Sequence, residues 1–121
     1  MNQRIALGRR GEDLALTYLE QADYEILDRN WRCRAGEIDI VARDARYLVC
    51  VEVRTRSGSG FGHPLETLTP EKLLRMRDLA LAWRAEHPEF SGMLRLDAIG
   101  VLLPPGAEPQ LRHIVGVGTN N

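Results

Sequence analysis

Residues 36–54 (GEIDIVARDARYLVCVEVR) constrain the fold more than any other stretch. Side chains alternate across a strand with a period of two. In 36–43 that period puts Ile38, Ile40 and Ala42 on one face, and Glu37, Asp39 and Val41 on the other. In 47–54 it puts Tyr47, Val49, Val51 and Val53 on one face, and Leu48, Cys50, Glu52 and Arg54 on the other. A turn centred on Asp44-Ala45 folds the two runs into an antiparallel hairpin. The expected register sets Arg43 opposite Arg46, Asp39 opposite Cys50 and Glu37 opposite Glu52. One face is then wholly apolar, and its burial pins the register. The other face gathers Glu37, Asp39, Glu52 and Arg54.

In that register Asp39 and Glu52 are diagonal neighbours, with Cα atoms roughly 7–8 Å apart. Carboxylates at this spacing can converge on one hard cation, and Mg²⁺ takes few protein carboxylates and keeps several waters. Without a cation the acids repel one another. Two readings of the face follow. It is a metal site beside Arg54, or it is an Arg–Glu network in which Arg54 or Arg34 neutralises Glu52 and Glu37.

The remaining elements place a further acid near this face. Residues 3–22 read as a helix, 24–33 as a strand, 93–102 as a strand and 110–117 as a last, edge strand. Thr69-Pro70-Glu71 marks a helix start, with Thr as N-cap and Pro at the first helical position, and Pro88 stops that helix. Strand, crossover helix and strand predict a parallel pair within a mixed sheet. On the first helix, Ile5, Gly8, Ala15, Leu16 and Leu19 all lie within about 60° of Glu12. Glu12 is therefore expected on the apolar face, where a charge is costly unless paired or bound to metal. Gly8 and Gly11 leave room for close backbone approach beside it.

Composition narrows the class. The 121 residues fit one domain, and 44% hydrophobic with 27% charged residues fits a soluble globular chain. A net charge of −1 excludes a polybasic nucleic-acid coat protein, yet 15 of the 16 basic residues are Arg, which binds phosphate bidentately. The segment 29–56 carries seven Arg against four acids, so the surface near the hairpin is locally positive. Arg32, Arg34 and Arg56, with Arg9 and Arg10 on the helix, are the candidate phosphate contacts; solvated faces are the plain alternative. Cys33 and Cys50 lack metal-ligand spacing, and a reducing cytoplasm is expected. The first ten residues carry no continuous apolar run, and no stretch approaches the length of a membrane span.

The runs GRRGEDLA (8–15), GEIDIV (36–41) and VEVRTR (51–56) resemble the YraN family of small bacterial proteins. That family is similar to the PD-(D/E)xK nuclease superfamily, in particular to archaeal Holliday junction resolvases. The likeness extends over nearly the whole chain, including Arg95-Leu96-Asp97. It implies an α/β, restriction-endonuclease-like αβββαβ core, with a mixed central sheet flanked by helices, over a single domain 1–121. It implies that Asp39 is the metal-binding acid, Glu52 the second acid and Glu12 the helical acid of the resolvase-like branch. Two positions depart from the pattern. Ile38 stands where the signature has Pro, and Arg54 stands where it has Lys. Glu37 is expected to pair with Arg34 or Arg56 rather than to bind metal, and Asp97 to brace the site through Arg54.

The resulting expectation is a Mg²⁺- or Mn²⁺-dependent nuclease acting on DNA, branched or damaged. Glu12, Asp39 and Glu52 would hold the metal and Arg54 would stabilise the scissile phosphate. A homodimer is expected. The alternative is a non-catalytic nucleic-acid-binding or scaffold protein that keeps the fold.

Overall fold

A computed structural model describes residues 2–58 and 63–118. The chain runs α1 (Gln3–Gln21), β1 (Glu25–Cys33), β2 (Gly36–Asp44), β3 (Tyr47–Arg56), a 3-10 turn (Pro64–Thr67), α2 (Pro70–Glu86), β4 (Met93–Leu102) and β5 (Gln110–Ile114). One five-stranded sheet has the order β1-β2-β3-β4-β5. Only β3 and β4 pair in parallel, across the α2 crossover, and the other pairs are antiparallel. This is the expected mixed α/β sheet, with β5 added at one edge.

Both helices start on side-chain caps. Asn2 accepts from the Arg4 N–H at 2.7 Å, and Thr69 from the Lys72 N–H at 3.3 Å, with Pro70 at the first helical position. The helices cover opposite faces of the sheet. Ala15 and Leu19 of α1 pack on Ile40, Val49, Val51, Ile99 and Val101. Leu79, Ala80 and Trp83 of α2 pack on Ile38, Val41, Leu48 and Cys50. One position expected on the apolar face of the first helix is exposed: Ile5, at 52%. Ile5 lies in the first turns of α1, which bury no residue before Gly11.

The β2–β3 register differs from expectation by two residues. The turn is Ala45-Arg46, with Asp44 opposite Tyr47 and Ile40 opposite Val51. Ala45 takes a positive φ of 53°, so a non-glycine residue carries the strained turn position and nothing in the residue type announces it. A two-residue shift preserves the parity of the paired residues, so Val49 and Val51 stay on the face opposite Leu48 and Cys50. The β2–β3 pairing ends at Ile40 and Val51, one residue short of Asp39 and Glu52. The apolar alternation also breaks at Asp39. Ile40 packs toward α1, but Ile38 packs with Val41 toward α2. Asp39 therefore sits where β2 changes face.

Candidate active site

The approach of α1 to the sheet is set by Gly11. A Cβ there would lie 2.0 Å from Thr55 Oγ1, so only glycine permits this contact. Gly8, expected to share that role, has nothing within 4 Å of such a Cβ. The close contact sets Glu12 above the β2–β3 hairpin. Glu12, Asp39, Val53 and Thr55 line one cleft of about 340 Å³ on the α1 side. Glu37, Asp39, Glu52 and Arg54 line a second cleft of about 400 Å³, walled by Lys72, Arg75 and Met76 of α2. Asp39 is the carboxylate common to both, which follows from its place at the strand's change of face.

The acids differ in how they are neutralised. Glu12 Oε1 accepts from Arg29 Nε at 3.0 Å, and the same guanidinium binds Asp13. Glu52 Oε2 lies 3.0 Å from Arg54 Nε, but that buried N–H is not aligned on any acceptor. The contact is an ion pair without a hydrogen bond. Asp39 has no ion pair with a described residue, and its Oδ2 accepts only the Val53 N–H, at 2.8 Å. Burial, and then the neighbouring Glu52 charge, push the Asp39 carboxyl up to about 7. Burial also raises the Glu52 carboxyl, against the pull of Arg54. The two carboxyls titrate as a pair. Among the described residues no three acids form a ready-made metal cage.

The other expected residues scatter. Glu37 pairs with Arg32 at 3.3 Å, both well exposed, rather than with Arg34 or Arg56. That pairing follows from register, because Arg32 lies directly opposite Glu37 across β1–β2. Arg9, Arg10 and Arg34 are exposed and line neither acidic cleft. Arg56 lines an adjoining cleft with Arg4, Arg54 and Lys72. His63 caps the 3-10 turn by accepting from Leu65 N–H.

Asp97 does not brace Arg54. It is fully buried and accepts four bonds instead: two from Arg95, at 2.9 and 3.0 Å, one from His113 Nε2 at 2.7 Å and one from Gly116 N–H at 3.0 Å. Arg95 reaches on to Asp44 and the Tyr24 hydroxyl, both at 2.8 Å. With its proton on Nε2, His113 donates to Asp97 and accepts at Nδ1 from the Tyr18 hydroxyl, 2.9 Å away. This network lies under the C-terminal half of α1, beyond the end that carries Glu12.

Sequence reasoning missed Arg29 as the partner of Glu12, and missed Lys72, Arg75 and Arg4 as cleft residues. For Arg29 no local pattern predicts a contact across 17 positions. For Lys72 there was a signal: it is the chain's single lysine, and it falls in the first turn of a helix whose start was legible.

The chain matches the model of the Uncharacterised protein family UPF0102 over residues 11–101, which takes in Glu12, Asp39, Glu52, Arg54, Lys72 and Asp97. It belongs to this family. UPF0102 is the YraN family that the motifs resembled. A UPF0102 protein of Renibacterium salmoninarum is 48% identical over 98% of the chain and 100% of its own length. One from Leifsonia xyli subsp. xyli is 47% identical over 97% and 99%. One from Streptomyces griseus is 50% identical over 97% and 99%. Nothing in the UPF0102 name assigns an activity, so the chemistry rests on the clefts. No helix among the described residues is long and apolar enough to cross a membrane.

Proposed function

We propose that this UPF0102 chain is a metal-dependent nuclease that hydrolyses DNA phosphodiester bonds, with branched DNA as the substrate class. One observation carries the reading. Asp39 is a largely buried carboxyl, set across the hairpin from Glu52 and below Glu12, that holds no internal cation. A buried charge without a partner is destabilising unless something positive arrives to meet it. The donors are all carboxylate oxygens, which suits Mg²⁺ or Mn²⁺ and not a soft metal. Glu12, Asp39 and Glu52 are the residues that would hold it.

When bound, the cation supplies Lewis-acid stabilisation of a phosphate and acidifies a water. The chain's own groups do the rest. Glu52 gives up its contact with Arg54, whose buried N–H is already misaligned, so the guanidinium is free to turn toward a phosphate oxygen. Arg54 cannot take the proton of the attacking water, because a guanidinium stays charged. Lys72 and Arg75 on the α2 wall add positive charge beside the acids. Cutting both strands of a branched substrate calls for two sites, so the active species is a homodimer, which sedimentation analysis tests directly. The Arg29–Glu12 and Arg54–Glu52 pairs favour one second reading, in which the acids are internally neutralised and the chain binds nucleic acid without cutting it.

The deciding experiment is cleavage of supercoiled, single-stranded and four-way-junction DNA with Mn²⁺. Wild type is compared with Asp39→Asn and Glu52→Gln. Cleavage by wild type alone supports the nuclease. Equal residual activity in all three overturns it.

A further inference from the structure

A third cleft, of about 540 Å³, opens beside the two acidic ones. Arg4 comes from the first turn of α1, Arg54 and Arg56 from the end of β3, and Lys72 from the first turn of α2, with Ser57 and Thr67 between them. No acid among the described residues lines it, and the sequence from Thr55 to Leu65 contains none. Four cations from three elements thus face one concavity. Arg4 and Arg56 form no ion pair with a described acid, although 17 acids are present in the chain. The Lys72 ammonium donates to the Thr67 carbonyl at 3.1 Å, which fixes its position and leaves two of its three N–H donors for a ligand. Arg54 is met by Glu52, but Arg4 and Arg56 beside it are not met by any described acid, and like charges gathered in this way attract an anion.

The cleft is continuous with the proposed metal site. It shares Arg54 and Lys72 with the cleft of Asp39 and Glu52, and Arg4, Leu7 and Thr55 with the cleft of Asp39 and Glu12. We infer that this basic cleft binds a second phosphate of the nucleic-acid strand, distinct from the one attacked. The choice of ligand rests on the phosphodiester reading above; the positive charge itself does not. A strand whose scissile phosphate lies by Asp39 and Glu52 carries a neighbouring phosphate toward Arg4 and Arg56. There Arg side chains can clamp phosphate oxygens bidentately, while Lys72 acts as a point charge. The subsite would hold the strand in register and add binding without taking part in bond cleavage.

The test is binding of a fluorescent single-stranded oligonucleotide in EDTA, so that no cleavage occurs. Wild type is compared with Arg4→Gln, Arg56→Gln and the double variant, all at partly or fully exposed positions. The double variant is expected to bind about tenfold more weakly or worse, with a salt slope reduced by roughly 0.7 for each phosphate no longer neutralised. Urea denaturation should give the wild-type midpoint for each variant, which keeps a folding defect from passing as a result. A 5′-phosphate and a 5′-hydroxyl oligonucleotide separate the two sources of phosphate. An equal loss with both assigns an internal phosphodiester, and a loss only with the former assigns a terminal phosphate. Wild-type affinity and slope in the double variant overturn the inference, as does equal binding of a polyglutamate peptide. A wild type that binds in this Arg-dependent way but cleaves nothing leaves the subsite standing while the nuclease reading fails. Cleavage that survives with no Arg4 or Arg56 effect does the reverse.

Discussion

Asp39, partly buried, and Asp97, fully buried, are aspartates on the same sheet, and they have opposite fates. Burial would raise the carboxyl of Asp97, but the bonds from His113, Arg95 and Gly116 more than offset it and hold it below the usual carboxylate range. Asp39 receives one backbone bond, faces other acids and is pushed up to about 7. Asp97 is sealed from solvent, whereas Asp39 lines two clefts. The difference teaches where to look for chemistry in such a fold. A buried carboxylate with all its bonds made inside the protein is a structural group. One whose charge is left unmet at a cleft is available to something from outside.

That contrast can be broken in one pair of substitutions. Asp97→Ala leaves the Arg95 guanidinium, only 12% exposed, without its main partner. Removing one member of such a buried pair typically costs about 3–5 kcal/mol. Urea denaturation should therefore show a large loss of stability in Asp97→Ala, with Asp97→Asn intermediate because it still accepts hydrogen bonds. Asp39→Asn should unfold at the wild-type urea midpoint or slightly above it, since it removes an unpaired buried charge. The same variant should lose Mn²⁺ binding and at least about a hundredfold in cleavage rate, on the order of 2.7 kcal/mol of barrier. A strongly destabilised Asp39→Asn beside a stable Asp97→Ala would invert the assignment.

The two aspartates also pull the pH profile in opposite directions. The raised Asp39 carboxyl is protonated in folded and unfolded chains alike below its ordinary value. Between there and about 7 the unfolded chain loses this proton and the folded chain keeps it, so metal-free stability falls as pH rises. Asp97, held low, contributes stability above the ordinary carboxylate range that is lost as pH falls through its lowered value. Metal-free wild type should thus have a lower melting temperature at about pH 7.5 than at about pH 5.5, and Asp39→Asn should flatten that fall. Mn²⁺ must displace the proton held by Asp39, so its affinity should weaken by up to about tenfold per pH unit below 7. A pH-independent Mn²⁺ affinity across that window would separate the metal from Asp39.

Much of the site was legible because parity survives errors that register does not. The period-two pattern put Glu37, Asp39, Glu52 and Arg54 beside one cleft even though the turn was misplaced. The misplaced turn shifted the β2–β3 pairs by two residues, because Ala45 adopts a left-handed conformation that its side chain does not advertise. Glu12 was legible from helical period, since only its own helix was needed. Its partner Arg29, the Asp97 network and the basic cleft were not. Each joins residues far apart in the chain, and no local periodicity encodes such a meeting. The alternation of Arg95 and Asp97 fits a polar or interior site, but their partners His113 and Gly116 arrive from around β5 with no local signature.

The smallest effect should come from Arg29, and it tests whether internal cations set the difference between the two regions. Arg29 is a half-exposed side chain that neutralises Glu12 at the rim of the α1-side cleft. Exposed or half-exposed ion pairs contribute roughly 0–1 kcal/mol, so Arg29→Gln should barely move the urea midpoint. It leaves Glu12 without its cation, close to an Asp39 that already has none. If the acids together hold Mn²⁺, the ion no longer competes with a guanidinium for Glu12, and its affinity should rise several-fold. The gain should vanish in Arg29→Gln with Glu12→Gln, because no carboxylate is then released, which makes the pair a double-mutant cycle. An unchanged Mn²⁺ affinity in Arg29→Gln would mean that Glu12 belongs with Asp97, as an acid satisfied inside the protein, and would leave Asp39 and Glu52 alone to meet the metal.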